Sequence, residues 1–73
     1  MTNLEIVLES LKIIPSRYNR LAACMNMPVA KLIKYVVGEI EVTDKIADII
    51  ADGIYAFIGK KVEPKSLMEE KIK

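Results

Sequence analysis

The stretch LAACMNMPVAKLIKYVVG, residues 21–38, decides the fold that this sequence predicts. It holds two apolar segments at helical spacing, separated by Asn26 and Pro28. Asparagine tolerates the left-handed backbone that ends a helix. Proline suits the first turn of the next helix, where its missing N–H costs nothing. We therefore expect two short helices joined by a tight turn, with Gly38 ending the second one after Val37.

The residues before this stretch predict another helix and its boundaries. Apolar residues recur there at helical spacing, namely Leu4, Val7, Leu8, Leu11 and Ile14. Thr2 or Asn3 is suited to cap its start. Pro15 should end it, because the residue before a proline avoids the α region. Ser16 is then a suitable N-cap for the second helix, which we expect from Arg17 to about Met25.

The residues after Gly38 predict a fourth helix that begins at Thr43, an N-capping residue type, and ends at Gly59. Its apolar stripe consists of Ile46, Ile49, Ile50, Gly53, Ile54 and Phe57. Gly53 in mid-helix costs about 1 kcal/mol relative to alanine. A close helix crossing would explain it, although the glycine could equally have no packing role.

The last residues form a charged C-terminal tail, residues 60–73, which we separate from a helix-turn-helix domain over residues 1–59. Ser66 and Glu69 match the spacing of a capping box. This pattern predicts either a short fifth helix from Leu67 to Ile72 or a frayed end, because so short a helix does not persist unaided.

Composition favours a small all-α protein that is not an enzyme. The chain has 73 residues, 52% of them hydrophobic, and contains one cysteine, Cys24, and no histidine. A lone cysteine excludes an intrachain disulfide framework. The missing histidine argues against a transition-metal site and removes the usual base of nucleophilic catalysis. We therefore expect a compact four- to five-helix domain with no cofactor, no metal and no catalytic residues.

The hydrophobic residues are not grouped as a targeting or membrane-spanning segment would require. The first residues lack a basic region, and Glu5 and Glu9 interrupt their apolar pattern. No apolar run approaches the roughly 20 residues that cross a bilayer. We expect a cytoplasmic protein without a membrane partner.

The charges are sorted along the chain although the net charge is only +1. Residues 1–9 carry −2, residues 10–38 carry +5 without a single acid, residues 39–58 carry −4, and residues 59–73 carry +2. The basic block therefore coincides with the two helices and tight turn described first. Positive potential at that place favours contact with phosphates.

Residues 21–38 also resemble the lambda-repressor-like helix-turn-helix family, the Cro and XRE type. That family has Leu-Ala in its second helix, a turn residue followed by an aliphatic residue, another aliphatic residue in the third helix, and a closing glycine. The matching residues here are Leu21, Ala22, Asn26, Met27, Leu32 and Gly38. The pair Ile50-Ala51, followed by Ile54, stands where the family commonly has Ile-Ala and then Leu. The resemblance covers roughly residues 4–57.

The resemblance implies a phage or mobile-element repressor that binds double-stranded DNA as a homodimer. In the family, the start of the second helix contacts phosphate and the exposed face of the third helix enters the major groove. The corresponding phosphate-contacting residues are Arg17, Tyr18 and Arg20. The corresponding base-facing residues are Pro28, Val29, Ala30, Ile33 and Lys34, with Lys31 beside them.

The third helix departs from the family at the positions that read DNA. The family usually has Gln, Ser, Thr, Asn or Arg there, whereas Val29, Ala30 and Ile33 offer only methyl groups. Two interpretations follow. In the first, the chain binds DNA through phosphates, dimer spacing and DNA shape. In the second, it is an inhibitor or antirepressor that binds a protein partner through Val29, Ile33 and one of the valines at 36 and 37.

Several of these side chains also have a simpler interpretation. Lys31 and Lys34 are equally typical of a solvated helix face. The Tyr18 ring is as well suited to packing on a neighbouring helix as to offering its hydroxyl to a phosphate. We expect Cys24 to be half-buried, and the acid row Asp44, Asp48 and Asp52 to be a solvated face rather than a cation site.

Overall fold

The computed structural model describes residues 2–69, and four α-helices form its framework. These are α1 (Asn3–Ser10), α2 (Tyr18–Cys24), α3 (Val29–Val37) and α4 (Asp44–Ile58). A first 3₁₀ turn, Pro15–Arg17, precedes α2, and a second, Pro64–Leu67, follows α4. The described part of the chain has no strand, so the predicted all-α class is confirmed.

The core lies where α4 packs against α2 and the second 3₁₀ turn. α2 also contacts α3, and α3 contacts α1, so α2 lies between α3 and α4, which are not in contact with each other. The largest fully buried side chains are Leu4, Leu8, Ile13, Leu21, Leu32, Ile50, Ile54 and Leu67. Within residues 2–69 no charged side chain is buried. The fold is therefore held mainly by aliphatic packing.

α1 begins as predicted and ends earlier. The Thr2 hydroxyl accepts a hydrogen bond from the Glu5 backbone N–H at 3.1 Å, which confirms it as the N-cap. The predicted extension to Pro15 is wrong, because Lys12 adopts a left-handed backbone with φ 60°. The Ile13 N–H bonds the Leu8 carbonyl, so Ile13 turns back onto the core. This early stop buries Ile13 and leaves Ile14, which the helical pattern placed inside, 52% exposed.

α2 begins later than predicted, and its predicted cap is wrong. Ser16 lies inside the first 3₁₀ turn, where the Arg17 N–H bonds the Ile14 carbonyl at 2.8 Å. The helix starts at Tyr18 without a side-chain cap. Proline at the first position of a 3₁₀ turn has the φ that the turn needs, so Pro15 starts this turn rather than ending α1.

The turn between α2 and α3 forms as the sequence predicts. Asn26 adopts the left-handed conformation with φ 54°. The Met27 N–H bonds the Ala22 carbonyl, which satisfies the end of α2. Pro28 stands at the N-cap of α3, and Gly38 ends α3 with φ 86°. The Glu39 N–H bonds the Lys34 carbonyl across that glycine at 2.9 Å. α2 and α3 are thus joined by only four residues, 25–28.

Thr2 ties the end of α3 to the start of α1. Its hydroxyl donates to the Val36 carbonyl at 2.6 Å while it caps α1. A Cβ on Gly38 would lie 3.1 Å from the Thr2 methyl group. Glycine is therefore required at this position both for its positive φ and for the closeness of Thr2.

The predicted boundaries of α4 are confirmed, and Gly53 has a packing role. Thr43 caps the helix by accepting from the Ile46 N–H at 3.3 Å, and Gly59 ends it with φ 73°. A Cβ built on Gly53 would overlap Met25 Cγ and lie 3.1 Å from the sulfur. Because Gly53 has no side chain, Met25 at the end of α2 packs directly on α4. The close helix crossing considered from the sequence is therefore present.

The described part of the tail folds onto the domain. The predicted capping box is wrong, since the Ser66 hydroxyl donates to the Glu63 carbonyl within the second 3₁₀ turn. The Glu69 carboxylate instead accepts from the Asn3 N–H at 2.7 Å, at the start of α1. Leu67 lies in this 3₁₀ turn and is fully buried, so a helix does not begin there. The remainder of the predicted fifth helix, residues 70–72, lies outside the described residues.

We predict that Gly53→Ala destabilises the protein by up to about 2 kcal/mol. Alanine gains about 1 kcal/mol of helix propensity, but overpacking a tight contact costs about 1–3 kcal/mol. The clashing atom, Met25 Cγ, is bonded directly to Cβ. Rotating the far end of the methionine side chain therefore does not move this atom away from the new methyl group. Urea unfolding followed by circular dichroism measures the change.

The matched experiment repeats Gly53→Ala in a Met25→Ala background. Without the longer side chain the new methyl group occupies vacated space, so the same substitution should become stabilising. An equal destabilisation in both backgrounds would contradict the proposed role of the Met25–Gly53 contact.

Candidate nucleic-acid interface

α3 presents one side to the core and the other to solvent. Leu32, Tyr35 and Val36 are buried against α1 and α2. The exposed residues of the helix are Ala30, Lys31, Ile33, Lys34 and Val37, and Val29 is half-buried. Pro28 is also exposed, so of the five predicted base-facing residues and their neighbour Lys31 only Val29 is partly buried.

Apolar side chains form a strip along the exposed side of α3. Ala30, Ile33 and Val37 stand at positions i, i+3 and i+7 and therefore share one face. Ile33 is 42% exposed and Val37 58% exposed. Ile40, 37% exposed, is close to this strip because its N–H approaches the Lys34 carbonyl at 3.4 Å. We call these four residues the apolar strip.

The strip differs from the docking surface that the sequence suggested. Val29, expected in it, is half-buried, and the exposed Ala30 stands there instead. Of the two valines considered, Val36 is buried and Val37 is exposed. Ile40 was not predicted. An apolar residue between two acids, two positions after a helix-ending glycine, was the available signal, and only the chain reversal at that glycine brings it beside α3.

Exposed cations lie beside the strip on α3 and also occur on α2 and the turn before it. Lys31 and Lys34 are exposed on α3, and Arg20 is exposed on α2. Arg17, in the first 3₁₀ turn, holds its guanidinium carbon 5.2 Å from the centre of the Phe57 ring. This cation–π contact orients the arginine without neutralising it. Asn19, which was not predicted, is exposed beside Arg20 and offers a neutral donor.

Tyr18 is buried rather than exposed. Only 6% of its surface is accessible, so its ring packs in the core, as its packing interpretation expected, and it is the least accessible of the predicted phosphate-contacting residues. Burial raises the pKa of the Tyr18 hydroxyl above its ordinary value of 10.0, and the negative charges of Glu5 and Glu9 raise it further. Those two carboxylates belong to α1, and their negative charge disfavours a phosphate near this hydroxyl.

Acidic residues are concentrated on a different helix. Asp44, Asp48 and Asp52 of α4 are all exposed, as a solvated face would be. α2 separates this helix from α3. The acid row of α4 is therefore separate from the cations of α2 and α3, whereas the other two acids of the acidic block, Glu39 and Glu41, are exposed directly after α3, beside Ile40.

The described residues show few features of other kinds of site. No group of three or more His, Cys, Asp or Glu among residues 2–69 is placed to hold a metal ion. No helix in that range is long and apolar enough to cross a membrane. Cys24, expected to be half-buried, is exposed at the end of α2. An open groove of about 520 Å³ runs between α4 and residues 61–64.

Comparison of the chain with protein-family models, with curated proteins and with solved structures found no match.

We predict that the protein loses stability relative to a Tyr18→Phe variant above pH 10. With its pKa raised in the folded state, Tyr18 stays protonated there while the unfolded chain ionises, so the folded state binds more protons and stability falls as pH rises. Below pH 10 the difference between the two proteins should be constant. Urea unfolding at several pH values measures it, and a difference that stays constant up to pH 11 would show that Tyr18 is not buried as described.

Proposed function

We propose that this chain is a small DNA-binding regulator of repressor type, of phage or mobile-element origin, that uses α2 and α3 as a helix-turn-helix. The separation of charge supports this proposal best. Five cations and no acid occur over residues 10–38, and all five cations are exposed. The acid row of α4 lies on a helix that does not contact α3. A surface of this kind attracts a polyanion, although the protein as a whole is almost neutral.

The dimensions of α3 suit the major groove. A helix with its side chains is about 10–12 Å across, and the groove is about 12 Å wide. With the apolar strip directed at the base edges, Lys31 and Lys34 beside it reach toward the phosphates. In this arrangement Arg17 and Arg20, carried by the preceding turn and helix, would contact the same strand further along.

A homodimer is the second element of the proposal. α3 has nine residues and is about 13 Å long. One copy therefore covers a few base pairs only, and two linked copies on successive turns of DNA would add their binding free energies. Sedimentation measured with and without duplex DNA tests this part separately.

Salt-titrated binding to a random-sequence duplex tests DNA binding itself. We expect dissociation constants in the micromolar range or weaker that rise steeply between about 50 and 200 mM salt. Replacing both Lys31 and Lys34 by alanine should weaken binding and lower the slope of log K against log salt by roughly 2, since about one counterion is released per phosphate contact.

The control replaces Lys60 and Lys61 by alanine. This pair has the same charge and is also exposed, but lies after α4. Its removal should change the slope much less than removal of Lys31 and Lys34. Equal effects of both pairs, or no DNA binding by the wild type at low salt, would refute the assignment of α3 as the DNA-binding element.

A second candidate function is a protein-interaction module, and one observation favours it. Ile33, Val37 and Ile40 expose more than a third of their surface within one patch, and such patches often bind partners. An inhibitor or antirepressor would use Val29 and Ile33 in this way. If Ile33→Asp abolishes binding to a protein partner and leaves DNA binding intact, this second function is the correct one.

A further inference from the structure

We infer that the apolar strip recognises the C5-methyl groups of thymine in the major groove, so that the preferred ligand is thymine-rich double-stranded DNA. This inference rests on the proposed function, because it specifies the DNA that α3 would bind. Ala30, Ile33 and Val37 carry no hydrogen-bond donor or acceptor, so they cannot read the pattern of donors and acceptors on base edges.

The thymine methyl group is the apolar group that a base pair shows in the major groove. Guanine, adenine and cytosine present oxygen, nitrogen or amino groups there, and contact with an aliphatic side chain leaves those groups without a hydrogen-bond partner. A thymine methyl group has no such partner to lose and is removed from water by the contact. Contact with the strip therefore favours thymine and favours none of the other three bases.

The charges around the strip make DNA the occupant that fits it. Lys31 and Lys34 lie beside Ala30 and Ile33, and α3 carries no acid over its whole length. Lysine is a flexible point charge that suits phosphate contacts, and beside a strip that favours thymine it is assigned to the phosphates rather than to guanine O6 or N7. Phosphate contacts thus hold the helix in the groove, while the methyl groups supply the preference.

The acids that follow α3 indicate which part of the strip lies deepest. Glu39 is exposed directly after Gly38. A carboxylate there would be repelled by phosphates if the C-terminal end of α3 entered the groove. Ala30 and Ile33, near the N-terminal end, are therefore the principal reading residues, and Val37 lies at the margin of the contact.

Replacing thymine by deoxyuridine tests the inference, since it removes the methyl group and keeps every hydrogen-bonding atom. The probe is a short duplex rich in A·T pairs, made once with dT and once with dU, with binding measured by fluorescence anisotropy at low salt. We expect dU to weaken binding about fourfold for each methyl group that the strip covers. Replacing dC by 5-methyl-dC in a G·C-rich duplex should strengthen binding by a similar factor.

Two variants assign the effect to α3. Ile33→Ala should lose most of the difference between dT and dU while retaining the salt dependence of binding. Ile6→Ala is the matched control, because Ile6 is 49% exposed on α1 and lies outside the strip. It should keep the wild-type difference, and circular dichroism checks that both variants are folded.

The outcomes separate this inference from the function on which it rests. Equal affinity for the dT and dU duplexes would overturn the methyl-group inference and leave DNA binding standing. A dT preference that Ile33→Ala keeps unchanged would also overturn it, because the strip would then not be the reader. No binding to either duplex at low salt would overturn the proposed function together with the inference.

Discussion

The contact between Met25 and Gly53 fixes the geometry on which the rest of the molecule depends. A glycine at mid-helix is locally unfavourable, but it lets the end of α2 lie directly on α4. Met25 is also the first residue of the four-residue connection to α3. The packing position of Met25 on α4 therefore determines where α3 starts and in which direction α3 runs.

The other end of α3 is fixed by a second close contact, between Thr2 and Gly38. Thr2 donates to the Val36 carbonyl and also caps α1, and Gly38 leaves room for its methyl group. With both ends held and three side chains buried, α3 is positioned without using its exposed side. That side is thus free for a ligand, and its position relative to the acidic α4 is set by the α2 helix between them.

The helices and most of their ends could be predicted from the sequence, because the signals for them are local. Asn26 and Gly38 indicate helix ends, since few residue types adopt a positive φ. Lys12 also adopts a positive φ, although nothing in the chemistry of lysine indicates this. The turn at Lys12 forms because it allows Ile13 to be buried. The burial of Tyr18 and the pairing of Glu69 with the start of α1 depend on residues distant in sequence, which local patterns do not report. The basic block was visible in the sequence, but its separation from the acid row requires the packing of α2.

The central claim is that α2 and α3 meet DNA with the side that carries Lys31, Ile33 and Lys34. Titration of the ¹⁵N-labelled protein with a thymine-rich duplex, followed by amide chemical shifts, tests it most directly. The account predicts shifts concentrated at residues 17–20 and 28–34, decreasing with added salt, and little change along the exposed acids of α4. Shifts centred on Asp48 and Asp52, or an unchanged spectrum at low salt, would contradict it.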